Sequence, residues 1–150
     1  PVTPEDYIIN GKPVLLHASY EWAVEAYRNA NYYYWKVAVE LAIGGSSEQE
    51  FMRRHPAVHH PKTYAAARKM IADHTGMDCS SYIRSTRNEY PQTFCEFITL
   101  GEVAWRLFKD DYHWIDEEKS GKPAEKLRQA WSHRKPTEED MEALSKIGVL

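Results

Sequence analysis

Residues 19–45 read SYEWAVEAYRNANYYYWKVAVELAIGG, and whether they form one helix decides the architecture. Apolar and small residues fall at Ala23, Tyr27, Ala30, Tyr34, Val37 and Leu41, in alternating steps of four and three, with a second stripe at Tyr32, Trp35, Val39 and Ala42. Steps of that size place side chains on one face of a helix with 3.6 residues per turn. The stretch therefore predicts one long helix over about 19–43, stopped by Gly44-Gly45. A helix apolar on two faces needs two partners, either other helices of the same chain or the same helix of a second subunit. Four consecutive aromatics, Tyr32 to Trp35, cannot all face one packed side. Their excess points to an interface, and to a homodimer through helix 19–43, more than to a stacking platform for bases or sugars.

The flanking segments extend the helical reading. Residues 7–16 form a short extended lead that is either a strand or a segment lying across the core. Ser47-Glu48-Gln49-Glu50 spells a capping box, so a short helix should follow and end at His55-Pro56. Pro61 sits near the start of a helix over 62–74. Residues 93–115 carry Phe94, Phe97, Ile98, Gly101, Ala104, Trp105 and Phe108 along one side and Leu100, Val103 and Leu107 along another, which predicts a central core helix. Asp110, Asp111, Asp116, Glu117 and Glu118 then form its solvated acidic end. Beyond the break at Ser120-Gly121-Lys122-Pro123, Leu127 and Trp131 mark a short helix, and Thr137 caps a last one with Met141, Leu144 and Ile147. The expectation is an all-α, single-domain helical bundle over 1–150, with a lead at 1–18 and a carboxy-terminal helical arm at 123–150.

Composition bounds the function. With 150 residues, 43% of them hydrophobic, five Trp and ten Tyr, the chain can bury a real core and is not of the disordered class. No amino-terminal signal sequence and no apolar run of membrane-spanning length is visible, so a cytoplasmic protein with no membrane partner is expected. Cys79 and Cys95 lack the spacing of a disulfide framework or a redox motif and read as reduced thiols.

Residues 70–84 carry the most specific functional signal. Ala72 is a small residue where two helices would cross, Gly76 can take positive φ at a turn, Met77 is the apolar residue after it, and Asp78 is a good cap for a second helix. Cys79, Ser80 and Ser81 are small, and Tyr82 stands where an apolar residue pins the second helix onto the first. The pattern over 62–88 resembles helix-turn-helix DNA-binding proteins. It departs from them at the second pin, where Ser85 stands, so that Ile83 and Thr86 would do the pinning with the helix rotated. The resemblance implies that Ser80, Ser81 and Arg84 lie nearest base edges, that Lys62, Arg68, Lys69 and Arg87 meet phosphate, and that Asn88, at the end of the same helix, also binds DNA. Between Arg53 and Asn88 seven basic residues face two acids, a charge of +5 in a chain whose total is −3. A basic patch on an acidic protein concentrates attraction where phosphates would lie.

Other constellations are weaker. His55, His59 and His60 are flanked by Pro56 and Pro61, which prevent the regular helix that a pair of histidines four apart would need to share a metal. Ser80 and Ser81 near His74 lack the glycine elbow and third member of a hydrolytic triad. Neither a catalytic set nor a metal or cofactor is expected. The reading is thus a non-catalytic, sequence-specific double-stranded DNA-binding protein of the regulator or DNA-packaging kind. The alternative is a helical protein–protein interaction module, an inhibitor or adaptor, docking through the aromatic long helix by Tyr32 and Trp35. A small metal-dependent hydrolase using His55, His59, His60 and Asp73 ranks below both.

Overall fold

Ile8–Ile9 (β1) and Lys12–Ser19 (β2) form a hairpin closed by Asn10-Gly11. Both turn residues have positive φ, 52° and 75°, the requirement of a two-residue turn whose twist matches that of the strands. The computed structural model describes residues 4–51, 57–86 and 94–121. In it β2 is the hub of a four-stranded mixed sheet. Val14, Leu15, Leu16 and Ala18 are all buried, as expected of a strand covered on both faces, which reads as an unbroken apolar run. The all-α expectation is therefore corrected to a mixed α/β fold of six helices and four strands among the described residues.

The long helix predicted over 19–43 is two helices, α1 (Tyr20–Tyr27) and α2 (Asn31–Ile43). Ser19 caps α1, its Oγ accepting from the Trp22 amide. Arg28 then enters the left-handed region with φ 52°, and the Asn29 side chain accepts from the Asn31 amide. Asparagines favour such local bonds over a helix interior, so the break falls where two of them flank Ala30. The chain folds back there, and Trp22, Tyr27, Tyr32 and Trp35 contact in series with ring centroids 5.0–6.0 Å apart.

The capping box at Ser47 does not start a helix. Gln49–Glu50 is a strand (β3) antiparallel to the end of β2, and Ser47 is fully buried. Its hydroxyl donates to Glu102 Oε2 at 2.8 Å and lies 3.0 Å from the Tyr20 hydroxyl, while its amide donates to Glu40 Oε1. Tyr20 donates to Ser47 because the serine proton is committed to the carboxylate, and burial pushes the tyrosine pKa well up. Arg106 closes the network: its Nε donates to Glu102 at 2.6 Å and its guanidinium caps the carbonyls of Gly44 and Ser46.

Downstream, Pro61–Thr75 (α3) and Cys79–Thr86 (α4) are followed by α5 (Glu96–Leu107). Residues 98–104 of α5 are buried on every side. At Gly101 an added Cβ would lie 2.4 Å from the Phe51 side chain, so the glycine sets how closely this helix approaches β3. The helix predicted over 93–115 stops at Leu107. A 3₁₀ turn (Lys109–Asp111) and strand β4 (His113–Asp116) replace its second half, because β2 supplies a parallel partner from Val14 to His17. Asp116 then caps α6 (Glu117–Ser120), and the acidic end is not all solvated: Glu117 is fully buried and accepts from the Tyr27 hydroxyl at 2.9 Å. The main core joins α2, α3, α4 and α5 through Val39, Ile43, Ile71, Tyr82, Ile98 and Val103. The predicted arm at 123–150 lies outside the described residues.

Candidate functional site

The two segments singled out by sequence, the α3–α4 unit and the aromatic helix α2, differ in what they show to solvent. Pro61 opens α3 at its first position, where a missing N–H costs nothing. Gly76 ends it with φ 71°, its amide donating to the Ala72 carbonyl at 2.9 Å. Asp78 then caps α4, accepting from the Ser81 amide at 3.0 Å and the Ser81 hydroxyl at 2.6 Å, and these bonds hold its carboxyl below the usual pKa. Tyr82 is buried against the core containing Ala67 and Ile71.

The turn and cap follow the sequence pattern, but several packing positions do not. Ala72, expected at a helix crossing, is exposed, Met77 is 43% exposed, and Ser85 is exposed with its hydroxyl returned to the Tyr82 carbonyl at 2.8 Å. Tyr82, expected as the first pin, is buried, whereas of the pair expected to replace the second, Ile83 is exposed and Thr86 half-buried.

Of the residues assigned to DNA, Ser80 and Arg84 are exposed on α4. Ser81 is half-buried, bound to Asp78 and accepting from Arg84 at 3.2 Å. Lys62 is paired with Asp111 at 2.5 Å and lies over the Phe108 ring, Lys69 is paired with Asp73 at 2.6 Å, and Arg68 is exposed on α3. Arg87 and Asn88 lie outside the described residues. Two of the four described cations of the patch are thus already matched by acids within 4 Å, which lowers the field that a phosphate would meet.

On α2 the division is sharp. Tyr32, Ala38, Val39, Ala42 and Ile43 are buried, whereas Tyr33, Tyr34, Val37 and Leu41 are 42–54% exposed. Tyr34, Val37 and Leu41 stand at i, i+3 and i+7, one face of the helix, and Tyr33 borders them. Tyr32 and Trp35, the sequence-based choice of docking residues, point instead into the contact with α1, their rings 5.0 Å apart and perpendicular.

Among the described residues no group of three or more His, Cys, Asp or Glu is placed to hold a metal ion. His59 is packed between Tyr64 and Tyr112 with its Nδ1 buried and without a hydrogen-bond partner among the described residues. Burial, and then the charge of His60, lower its pKa to about 4. The buried Tyr112 hydroxyl, missed in the sequence, fixes the start of α3 by accepting from the His60 amide and bonding Thr63 at 2.6 Å. His55 lies outside the described residues, and His74 packs over Gly44. Cys79 and Cys95 are free thiols, and burial raises the Cys95 pKa to about 11. No described helix is long and apolar enough to cross a membrane. No family model, curated protein or solved structure matches the chain at a significant level.

Proposed function

We propose that the protein acts by binding, without chemistry of its own, and that α2 docks into an apolar groove on a protein partner. The observation that carries this reading is the outward stripe of Tyr33, Tyr34, Val37 and Leu41 on a helix whose other face is fully packed. Anchors at i, i+3 and i+7 are how a helix fills a groove. These side chains are already about half covered, so burying what remains contributes half of the roughly 1.5–3 kcal/mol of a full side chain, before the cost of association. The stripe spans residues 33–41, roughly 12 Å of helix at 1.5 Å per residue.

A photo-crosslinking residue at Val37, with a control at exposed Lys69, tests this in the producing cell alongside gel filtration of the purified chain. The expected result is one discrete heavier adduct from position 37 alone, lost with Leu41→Glu, and a monomeric purified chain. No adduct, or one indifferent to Leu41→Glu, overturns the reading. An adduct of twice the chain mass with a dimeric purified protein replaces the groove by the homodimer through α2.

Double-stranded DNA binding is the second reading, favoured by one observation: Ser80 and Arg84 are exposed on a capped helix after a left-handed glycine turn. It requires Lys62 and Lys69 to exchange Asp111 and Asp73 for phosphate. Its test is a random duplex pool at two salt concentrations, with Arg84→Ala alongside. Salt-sensitive binding of a motif that Arg84→Ala relaxes by about 1–3 kcal/mol supports it. No binding at low salt ends it.

A further inference from the structure

A cavity of about 270 Å³ opens between α3, α4 and α5, on residues that the α2 stripe does not share. Ile71, Phe94 and Leu100 supply apolar wall, while Arg68 from α3 and Glu96 from α5 bring opposite charges to it. Both charged residues are exposed, and neither makes an ion pair with the other or with any other described residue, in contrast to Lys62 and Lys69 on the same helix. Thr99 belongs to the same wall and is 1% exposed; its hydroxyl is buried and has no hydrogen-bond partner among the described residues.

We infer that this cavity binds a small zwitterion with an apolar body, the chemistry of a free apolar or aromatic α-amino acid. Pockets for small molecules are mostly apolar with a few placed polar groups, and the volume here suits a single such molecule. A guanidinium accepts a carboxylate as a planar two-pronged partner, and a carboxylate on a second helix accepts an ammonium. A ligand bearing one charge engages Arg68 or Glu96 and leaves the other to water, so it gains one charge-assisted contact where two are on offer. A ligand bearing both satisfies the pair, with its side chain on Ile71, Phe94 and Leu100.

Calorimetric titration of the full chain with phenylalanine, tyrosine and leucine tests this, beside the N-acetyl acid and the amino amide of each. The zwitterion is expected to bind at least about tenfold more tightly than either blocked form. Arg68→Ala should weaken phenylalanine and its N-acetyl acid while sparing the amide, and Glu96→Gln should do the converse. Both side chains are exposed, so neither change threatens the fold, and a thermal melt confirms it. Ile71→Ala, if folded, should weaken all three forms alike. Absence of heat from every amino acid at millimolar concentration overturns the inference. So does equal binding of blocked and zwitterionic forms, which would make the cavity a general apolar site.

Discussion

Ser47 and Asp78 each stand where the sequence spells the beginning of a helix, and only Asp78 begins one. Asp78 is exposed, and its carboxylate finds the Ser81 amide and hydroxyl with no rival in reach. Ser47 is sealed between α1, α2 and α5, where Glu102 takes the proton of its hydroxyl and Tyr20 donates to the oxygen. A cap contributes about 0.5–2 kcal/mol, while a buried polar group stripped of its partner costs about 1–3 kcal/mol, more when charged. In water the local pattern wins. In the interior the carboxylate wins, and the segment after Ser47 is left to pair with β2.

That contrast can be broken at its buried end. Glu102→Ala leaves Arg106 partly buried without its carboxylate and Ser47 without its acceptor, and should lower stability by about 3–5 kcal/mol in urea unfolding; a loss under about 1 kcal/mol would show that Glu102 does not hold this node together. His59 sharpens the same point through pH. Its ordinary value of 6.5 applies to the unfolded chain and about 4 to the folded one, so the unfolded state takes up the proton first. Stability is full above pH 6.5, declines as pH falls towards 4 and levels below, by about 3 kcal/mol in all. His59→Phe should flatten that part of the stability–pH curve, and an unchanged curve would deny that the ring is buried neutral.

Gly101→Ala should cost about 2 kcal/mol by overpacking against Phe51, read as a lowered thermal midpoint; an unchanged midpoint would mean that β3 can shift to make room. At the exposed end, Asp78→Ala should be the smallest of the four. Because hydrogen bonds from Ser81 depress this carboxyl, its contribution is present at neutral pH and lost as pH falls through its folded value, so the variant and the parent should converge in acid. A difference surviving there would mean that Asp78 acts other than as a charged cap.

The legible parts of the fold were those that depend on neighbours in sequence. Gly76, Asp78 and Pro61 gave the bounds of α3 and the start of α4 to within a residue or two, since each acts on the backbone beside it. The strands were obscured for the opposite reason. In residues 108–115 the apolar spacing of a helix continues through Trp114 and Ile115, yet the segment pairs with β2, whose edge no local pattern reveals. Asn10-Gly11 and the run Val14-Leu15-Leu16 did carry a hairpin signal, but two extended segments at the start of a helical chain weigh little in a fold-class judgement. On α2 the two apolar faces were visible and their assignment was not. Which face turned inward depended on the reversal at Arg28, which set Tyr32 and Trp35 against α1 and left Tyr33 and Tyr34 outside.

The parallel register of β2 and β4, with His17 beside Asp116, also has a bearing on how the protein comes into being. The β1–β2 hairpin leaves the ribosome before β4, with the apolar edge of β2 bare, and the strand that covers it is synthesised roughly a hundred residues later. At about 5–20 residues per second, the nascent chain spends on the order of five to twenty seconds with that edge available to any passing strand. Proteolytic or genetic trimming before residue 113 would restore the same hazard permanently, so shortened forms should gather in inclusion bodies even though most of the helical core is intact.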